Sequence, residues 1–144
     1  MPVLFDSSVY ISTLRVGRGG ALLLQRWAQG SPLWLSSVVL QELYAGTSSN
    51  DYRALDKLER DFERAKRILI PNLSDWTQAG KVLARLAQKY GYERIGRARL
   101  TNDALIATSA ARNGITVLTT NQRDFVRLAE FCPLQWQVQM VRGS

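Results

Sequence analysis

Apolar and polar residues along this chain alternate between two spacings. "PVLFD" at the start is a short apolar run of strand formers that ends on an acid and leads into serines, the pattern of a buried strand leaving a sheet. Helical spacing follows in "SVYISTLR" and "ALLLQRWAQG", split by the turn "VGRGG", with Gly30 and Pro32 stopping the second helix. "LWLSS" reads as a second strand whose serines can cap the helix "VVLQELYAG", closed by Gly46. From Asn50 to Lys66 the run "NDYRALDKLERDFERAK" sets Leu55, Leu58 and Phe62 on one side of an amphipathic helix. "RILIP" predicts a third strand, and "SDWTQAGKVLARLAQKYG" a capped helix with Trp76, Leu83, Leu86 and Tyr90 on or near its buried face.

After a loop at "YERIGRAR", the stretch "LTNDALIATSAARNGITVLTTNQRDF" predicts a helix capped by Thr101 or Asn102 and stopped at Gly114. A strand, "ITVLTT", comes next, then a short helix from Asp124, and "LQWQVQM" alternates as a terminal edge strand. Strands therefore alternate with helices from end to end. That order predicts a three-layer α/β/α sandwich around a mainly parallel sheet. One domain over residues 1–142 is expected, with Gly143 and Ser144 set aside as a tag remnant or tail.

Composition narrows the chemistry. The chain has no histidine, which excludes a histidine general base, an imidazole-built zinc site and a Ser-His-Asp triad. Its single cysteine, Cys132, cannot form an internal disulfide and is given no chemical role. No apolar run approaches the roughly 18 residues that span a bilayer, and the first residues lack the pattern of a secretory signal, so no membrane association and a cytoplasmic location are expected. The formal charge of +7 favours an anionic partner, nucleic acid above all. "GRGG" lacks the spacing of a dinucleotide loop, and no "GK[ST]" is present for a nucleotide-binding loop. The four tryptophans are scattered through helix and strand patterns and read as packing residues.

Ligands on an open parallel sheet gather beyond the carboxyl ends of its strands. Four acids fall at or near such places: Asp6 after the first strand, Glu42 in the helix after the second, Asp103 at a helix opening, and Asp124 after "VLTT". Each could instead be a helix cap, a dipole partner or a solvated helix residue. If all converge, like charges at about 4 Å cost on the order of 4 kcal/mol at an effective dielectric of 20, and only a proton or a cation relieves that. An all-oxygen site suits a hard ion such as Mg²⁺ or Mn²⁺, and a phosphodiester is the natural substrate for such an ion. Arg94, Arg97 and Arg99 could track an RNA backbone near the mouth of that site, or simply belong to a solvated loop.

Taken in order, "VLFDSSVYI", "VVLQEL" and "TNDALIATSAARNGITVLTTNQRDF" resemble the PIN-domain ribonucleases, particularly the VapC-like toxins of bacterial toxin–antitoxin pairs. The likeness covers nearly the whole chain, and its last segment is the most specific. By that resemblance Asp6, Glu42, Asp103 and Asp124 form the acidic quartet, with Asp6, Asp103 and Asp124 holding Mg²⁺ or Mn²⁺. Ser7, Thr120 and Asn121 fall on supporting polar positions, and Ser8 stands where an asparagine is usual. The resemblance implies RNA cleavage to a 3′-hydroxyl and a 5′-phosphate, a homodimer, and a cognate antitoxin that reaches into or across the site. Two rival functions remain at this point. One is an RNA-binding module that does not cut; the other, a phosphotransferase with an aspartate nucleophile, wants a second acid where this chain has Ser8.

Overall fold

The computed structural model describes residues 1–16, 30–91 and 98–139. Five strands carry the centre: β1 (Val3–Phe5), β2 (Leu33–Ser36), β3 (Ile68–Leu69), β4 (Thr116–Thr119) and β5 (Trp136–Val138). Around them lie α1 (Ser7–Val16), α2 (Ser37–Ala45), α3 (Tyr52–Arg64), α4 (Leu73–Tyr90), α5 (Ala98–Arg112) and α6 (Gln122–Ala129), with a 3₁₀ turn at Ser49–Asp51 before α3. Every strand pairing is parallel, in the order β3-β2-β1-β4-β5. The expected α/β/α sandwich is the observed one. Helices cover both faces of such a sheet, which is why β1 and β4 are buried at every position instead of alternating.

From β1 the chain builds outward through β2 to β3 on one side, then returns to add β4 and β5 on the other. The boundary between β1 and β4 is thus the topological switch point, where adjoining loops part and leave a crevice. Register there pairs Val3 with Thr116, Leu4 with Val117 and Phe5 with Leu118. One step further along each strand stand Asp6 and Thr119.

Beneath the crevice the core is dense. Leu4, Phe5, Leu35, Val39, Ile106, Val117, Phe125 and Leu128 are wholly buried, and the Ala104, Ala107 and Ala110 row of α5 lies against the sheet without exposed surface. Small side chains there let the helix approach closely. Gly114, at φ 65, turns the chain out of α5 into β4 through the left-handed region that a Cβ disfavours.

Three details differ from the sequence expectation. Helix α5 begins at Ala98, so Asp103 lies in its second turn instead of opening it. Helix α6 starts at Gln122, two residues before Asp124. Trp76 is 56 % exposed, because the buried stripe of α4 runs through Asp75, Ala79, Val82, Leu86 and Ala87. Asp75 can occupy that stripe because it is paired: Arg112 Nε and Nη2 each donate to one of its carboxylate oxygens at 2.8 Å. The same carboxylate accepts from the Asn72 N–H, and the Asn72 side chain accepts from the Asp75 N–H, a reciprocal cap at the start of α4. The turn at 17–20, the helix expected from residue 21 with Trp27, and Arg94 and Arg97 lie outside the described residues.

Candidate functional site

Asp6 directly follows the fully buried strand β1 and is itself only 2 % exposed. A carboxylate in that position needs donors, and the chain supplies them from both sides of the crevice. Ser8 Oγ donates to Asp6 Oδ1 at 2.5 Å, and Thr119 Oγ1 donates to Asp6 Oδ2 at 2.5 Å. The Val9 N–H adds a longer bond of 3.4 Å to Oδ1. Each hydroxyl is oriented in turn by a backbone N–H that can only donate: Thr120 to Ser8 Oγ at 3.1 Å, and Asn121 to Thr119 Oγ1 at 2.8 Å. That leaves the two hydroxyl protons for Asp6, the arrangement that suits an ionised acceptor.

Burial works in the opposite sense and pushes the Asp6 carboxyl above its ordinary value, with the Ser8 and Thr119 hydroxyls and the Val9 and Ser8 N–H groups offsetting part of the rise. The group is thereby held in place while its charge stays costly. A carboxylate offers about four lone-pair positions; the Ser8 hydroxyl and the Val9 N–H take those on Oδ1 and the Thr119 hydroxyl takes one on Oδ2, so room for a further electrophile remains on Oδ2.

A cavity of about 440 Å³ opens beside it, lined by Asp6, Ser7, Ser8, Ile11, Glu42, Ala45, Gly46, Asp103 and Asn121. Three of the four expected acids therefore meet in one place. Asp6 arrives from β1 and Asp103, 8 % exposed, from the inner face of α5; Glu42 is half-buried on α2. Helix α2 is fixed there because Ser36, the last residue of β2, accepts the Val38 N–H as its cap at 3.2 Å. Ala45 and Gly46 at the end of α2 keep the wall small.

Asp124 is set back. It does not line the cavity; its Oδ2 accepts from Asn121 Nδ2 at 2.8 Å, and Asn121 does line it. Ser7 is part of the wall, whereas Thr120 is exposed and contributes its backbone N–H through Ser8. Arg99 falls in the first turn of α5, and its side chain, like Arg94 and Arg97, lies outside the described residues. Cys132 is buried elsewhere and burial pushes its thiol up, consistent with an unreactive packing residue.

Two participants carry no signal of their own in the sequence. There Thr119 reads only as part of a strand, and Ser8 only as a departure from an expected asparagine. Their common signal is the parallel register that sets the last residue of β4 beside the residue after β1.

The donor set fits a hard divalent ion in its chemistry: carboxylate oxygens without nitrogen or sulfur, one of them buried at a cost that a cation offsets. Among the described residues no three acidic or cysteine side chains are set to hold an ion directly. Mg²⁺ tolerates that arrangement, since it keeps several waters and is held by one or two carboxylates. Among the same residues no helix is long and apolar enough to cross a membrane.

Comparison with known proteins bears on the fold and the family. The PIN domain family profile matches residues 3–131. No curated protein sequence matches the chain. Among solved structures, a DNA-bound VapBC from Salmonella typhimurium is similar at 23 % identity and a TM-score of 0.69, covering 96 % of this chain and 98 % of that one. VapBC2 from Rickettsia felis, bound to a promoter DNA fragment, is similar at 21 % identity and a TM-score of 0.60, covering 97 % and 100 %. VapBC-1 from nontypeable Haemophilus influenzae gives 23 % identity and a TM-score of 0.60 over 96 % and 98 % of the two chains. These likenesses extend through the fold. Because the profile match runs from the first residue of β1 to beyond the end of α6, the chain belongs to the PIN domain family.

Proposed function

We propose that the protein is an Mg²⁺- or Mn²⁺-dependent endoribonuclease and the toxin of a toxin–antitoxin pair. The observation that carries the reading is the meeting of Asp6, Glu42 and Asp103 in one cavity at the switch point of the sheet. Membership of the PIN family supports a nuclease, and the solved VapBC complexes of the same fold support a cognate antitoxin as partner.

Asp6 and Asp103 would hold the ion, with Asp124 acting at longer reach through Asn121. A bound divalent ion supplies charge neutralisation for phosphate and lowers the pKa of a water. Asp6 contributes a fixed carboxylate, because Ser8 and Thr119 determine where both of its oxygens point. Glu42, also in the cavity lining, would accept a proton from the attacking water, and Ala45 and Gly46 keep that part of the wall small. Ser7 and Asn121 supply polar lining. The products would carry a 3′-hydroxyl and a 5′-phosphate, and a homodimer would be the working form.

The reading is tested by incubating antitoxin-free protein with a panel of unstructured and looped RNAs in Mg²⁺, Mn²⁺ or EDTA. Cleavage with either ion and none in EDTA is expected. Salt-sensitive RNA binding that is the same with and without divalent ions, and no cleavage, would identify a binding module instead.

A further inference from the structure

An acidic cavity repels phosphate until a cation binds, so a polyanion has to be drawn in by charges beside it. Helix α6 supplies them. Its chain enters from Asn121 in the cavity wall, and Arg123 and Arg127 follow four residues apart, so they are neighbours on one face. From Asn121 to Arg127 the helix advances about 9 Å at 1.5 Å per residue. Arg123 is exposed and Arg127 half-buried.

Glu130 continues the same face, and its carboxylate is bonded chiefly from α4: Lys89 Nζ donates to Oε2 at 2.9 Å and the Tyr90 hydroxyl to Oε1 at 2.7 Å, with Arg127 adding a weaker attraction at longer range. Among the described residues neither Arg123 nor Arg127 reaches a carboxylate at ion-pair distance, and nor does Arg85. The guanidinium of Arg127 instead lies 4.7 Å from the centre of the Tyr90 ring, and that of Arg85 lies 6.0 Å from the Phe131 ring. A flat guanidinium held against a ring loses little freedom when its N–H edge takes up a phosphate.

We propose that the exposed face of α6, carried by Arg123 and Arg127 with Arg85 of α4 beyond them, is a track that binds the phosphates of single-stranded RNA running away from the acidic cavity. The assignment to RNA rests on the reading of the site as a ribonuclease; the basic face stands on its own geometry. A cavity of about 440 Å³ takes a nucleotide, not a duplex, which favours an unpaired strand. Tyr90 is not a base-stacking platform, because Arg127 and Lys89 already cover it.

The test is fluorescence anisotropy of a labelled, unstructured oligoribonucleotide in EDTA, where nothing is cut, across a salt series. Every phosphate that the protein no longer neutralises on a single strand lowers the salt slope by about 0.7. Arg123→Gln should lower it by about 0.7 and Arg123→Gln with Arg127→Gln by about 1.4, while Arg53→Gln with Arg60→Gln on the exposed side of α3 leaves it unchanged. Thermal melting of each variant checks that the fold is kept, and the Arg123 variant alone leaves the Tyr90 stack untouched. Unchanged slopes in both α6 variants would overturn the proposal, as would an equal loss on duplex DNA or the absence of RNA binding by the parent protein. If the parent cuts no RNA with any ion yet the α6 variants lose binding as described, the track stands and the nuclease reading falls.

Discussion

The Thr119 hydroxyl donates to the Asp6 carboxylate at 2.5 Å, joining residues 113 positions apart at the mouth of the β1–β4 crevice. This bond couples the second half of the chain to the acid delivered by the first strand. Removing it by Thr119→Val leaves a buried carboxylate short of one donor, at a cost of about 1 to 3 kcal/mol. Thr119→Ser keeps the hydroxyl and should keep most of the stability. Urea denaturation of the two variants separates lost hydrogen bonding from changed shape. Equal stability of the valine variant and the parent would contradict the role given to Thr119.

Metal binding should be visible without any substrate. An ion that binds only the folded protein stabilises it by about 2.7 kcal/mol at one hundred times its dissociation constant, which for a chain of this size raises the melting temperature by about 5 to 10 °C. Asp6→Asn or Asp103→Asn should remove most of that shift while leaving a cooperative transition. A shift that survives in both variants would locate the ion elsewhere.

The Asp75–Arg112 pair sets a stability window in pH. The bidentate Arg112 guanidinium lowers the Asp75 carboxyl below its ordinary value of 3.8. Its contribution is therefore fully present above about 3.8 and is lost as pH falls through the lower folded value. Arg112→Ala should destabilise the protein at neutral pH, because the buried Asp75 carboxylate is left without its bidentate partner. Denaturation curves for parent and variant should keep a constant gap from pH 7 to about 5 and draw together as pH falls below about 3.8. A gap that stays constant well below about 3.8 would mean that the loss is one of packing.

Tyr10 offers a change in the other direction. Its hydroxyl is buried with no hydrogen-bond partner among the described residues, while its ring meets Phe5 edge-on at 6.0 Å. Tyr10→Phe keeps the ring contact and removes the unsatisfied hydroxyl, so it should stabilise the protein by about 1 kcal/mol, or about 2 to 4 °C in melting temperature. A lower melting temperature would show that the hydroxyl has a partner after all.

Much of the architecture is readable from hydrophobic spacing, because a doubly covered parallel sheet needs continuous apolar runs such as "VLF" and a close-packed helix needs small residues such as those from Ala104 to Ala110. The placing of Asp6 and Glu42 at one cavity is legible too, since Asp6 follows β1 and Glu42 lies in the helix after β2, whereas Asp103 comes in from a helix that follows another helix. The start of α5 is not: the arginine-rich stretch before Leu100 carries no capping signal, whereas Thr101 and Asn102 look like caps and are not. Hydropathy turns Trp76 inward because it prefers a tryptophan to an aspartate on a buried stripe, and the partner that lets Asp75 take that position lies 37 residues away. Hydroxyl-to-carboxylate bonds across the crevice are equally invisible, since a threonine at the end of a strand looks the same whether or not an acid faces it.

The measurement closest to the central claim is sequencing of RNA ends after incubation of antitoxin-free protein with RNA, in Mg²⁺ and in EDTA, beside Asp103→Asn. The account predicts discrete new 5′-phosphate ends with Mg²⁺ alone, absent in EDTA and absent in a variant whose melting transition is intact. Ends produced equally in EDTA, or by folded Asp103→Asn protein, would contradict it.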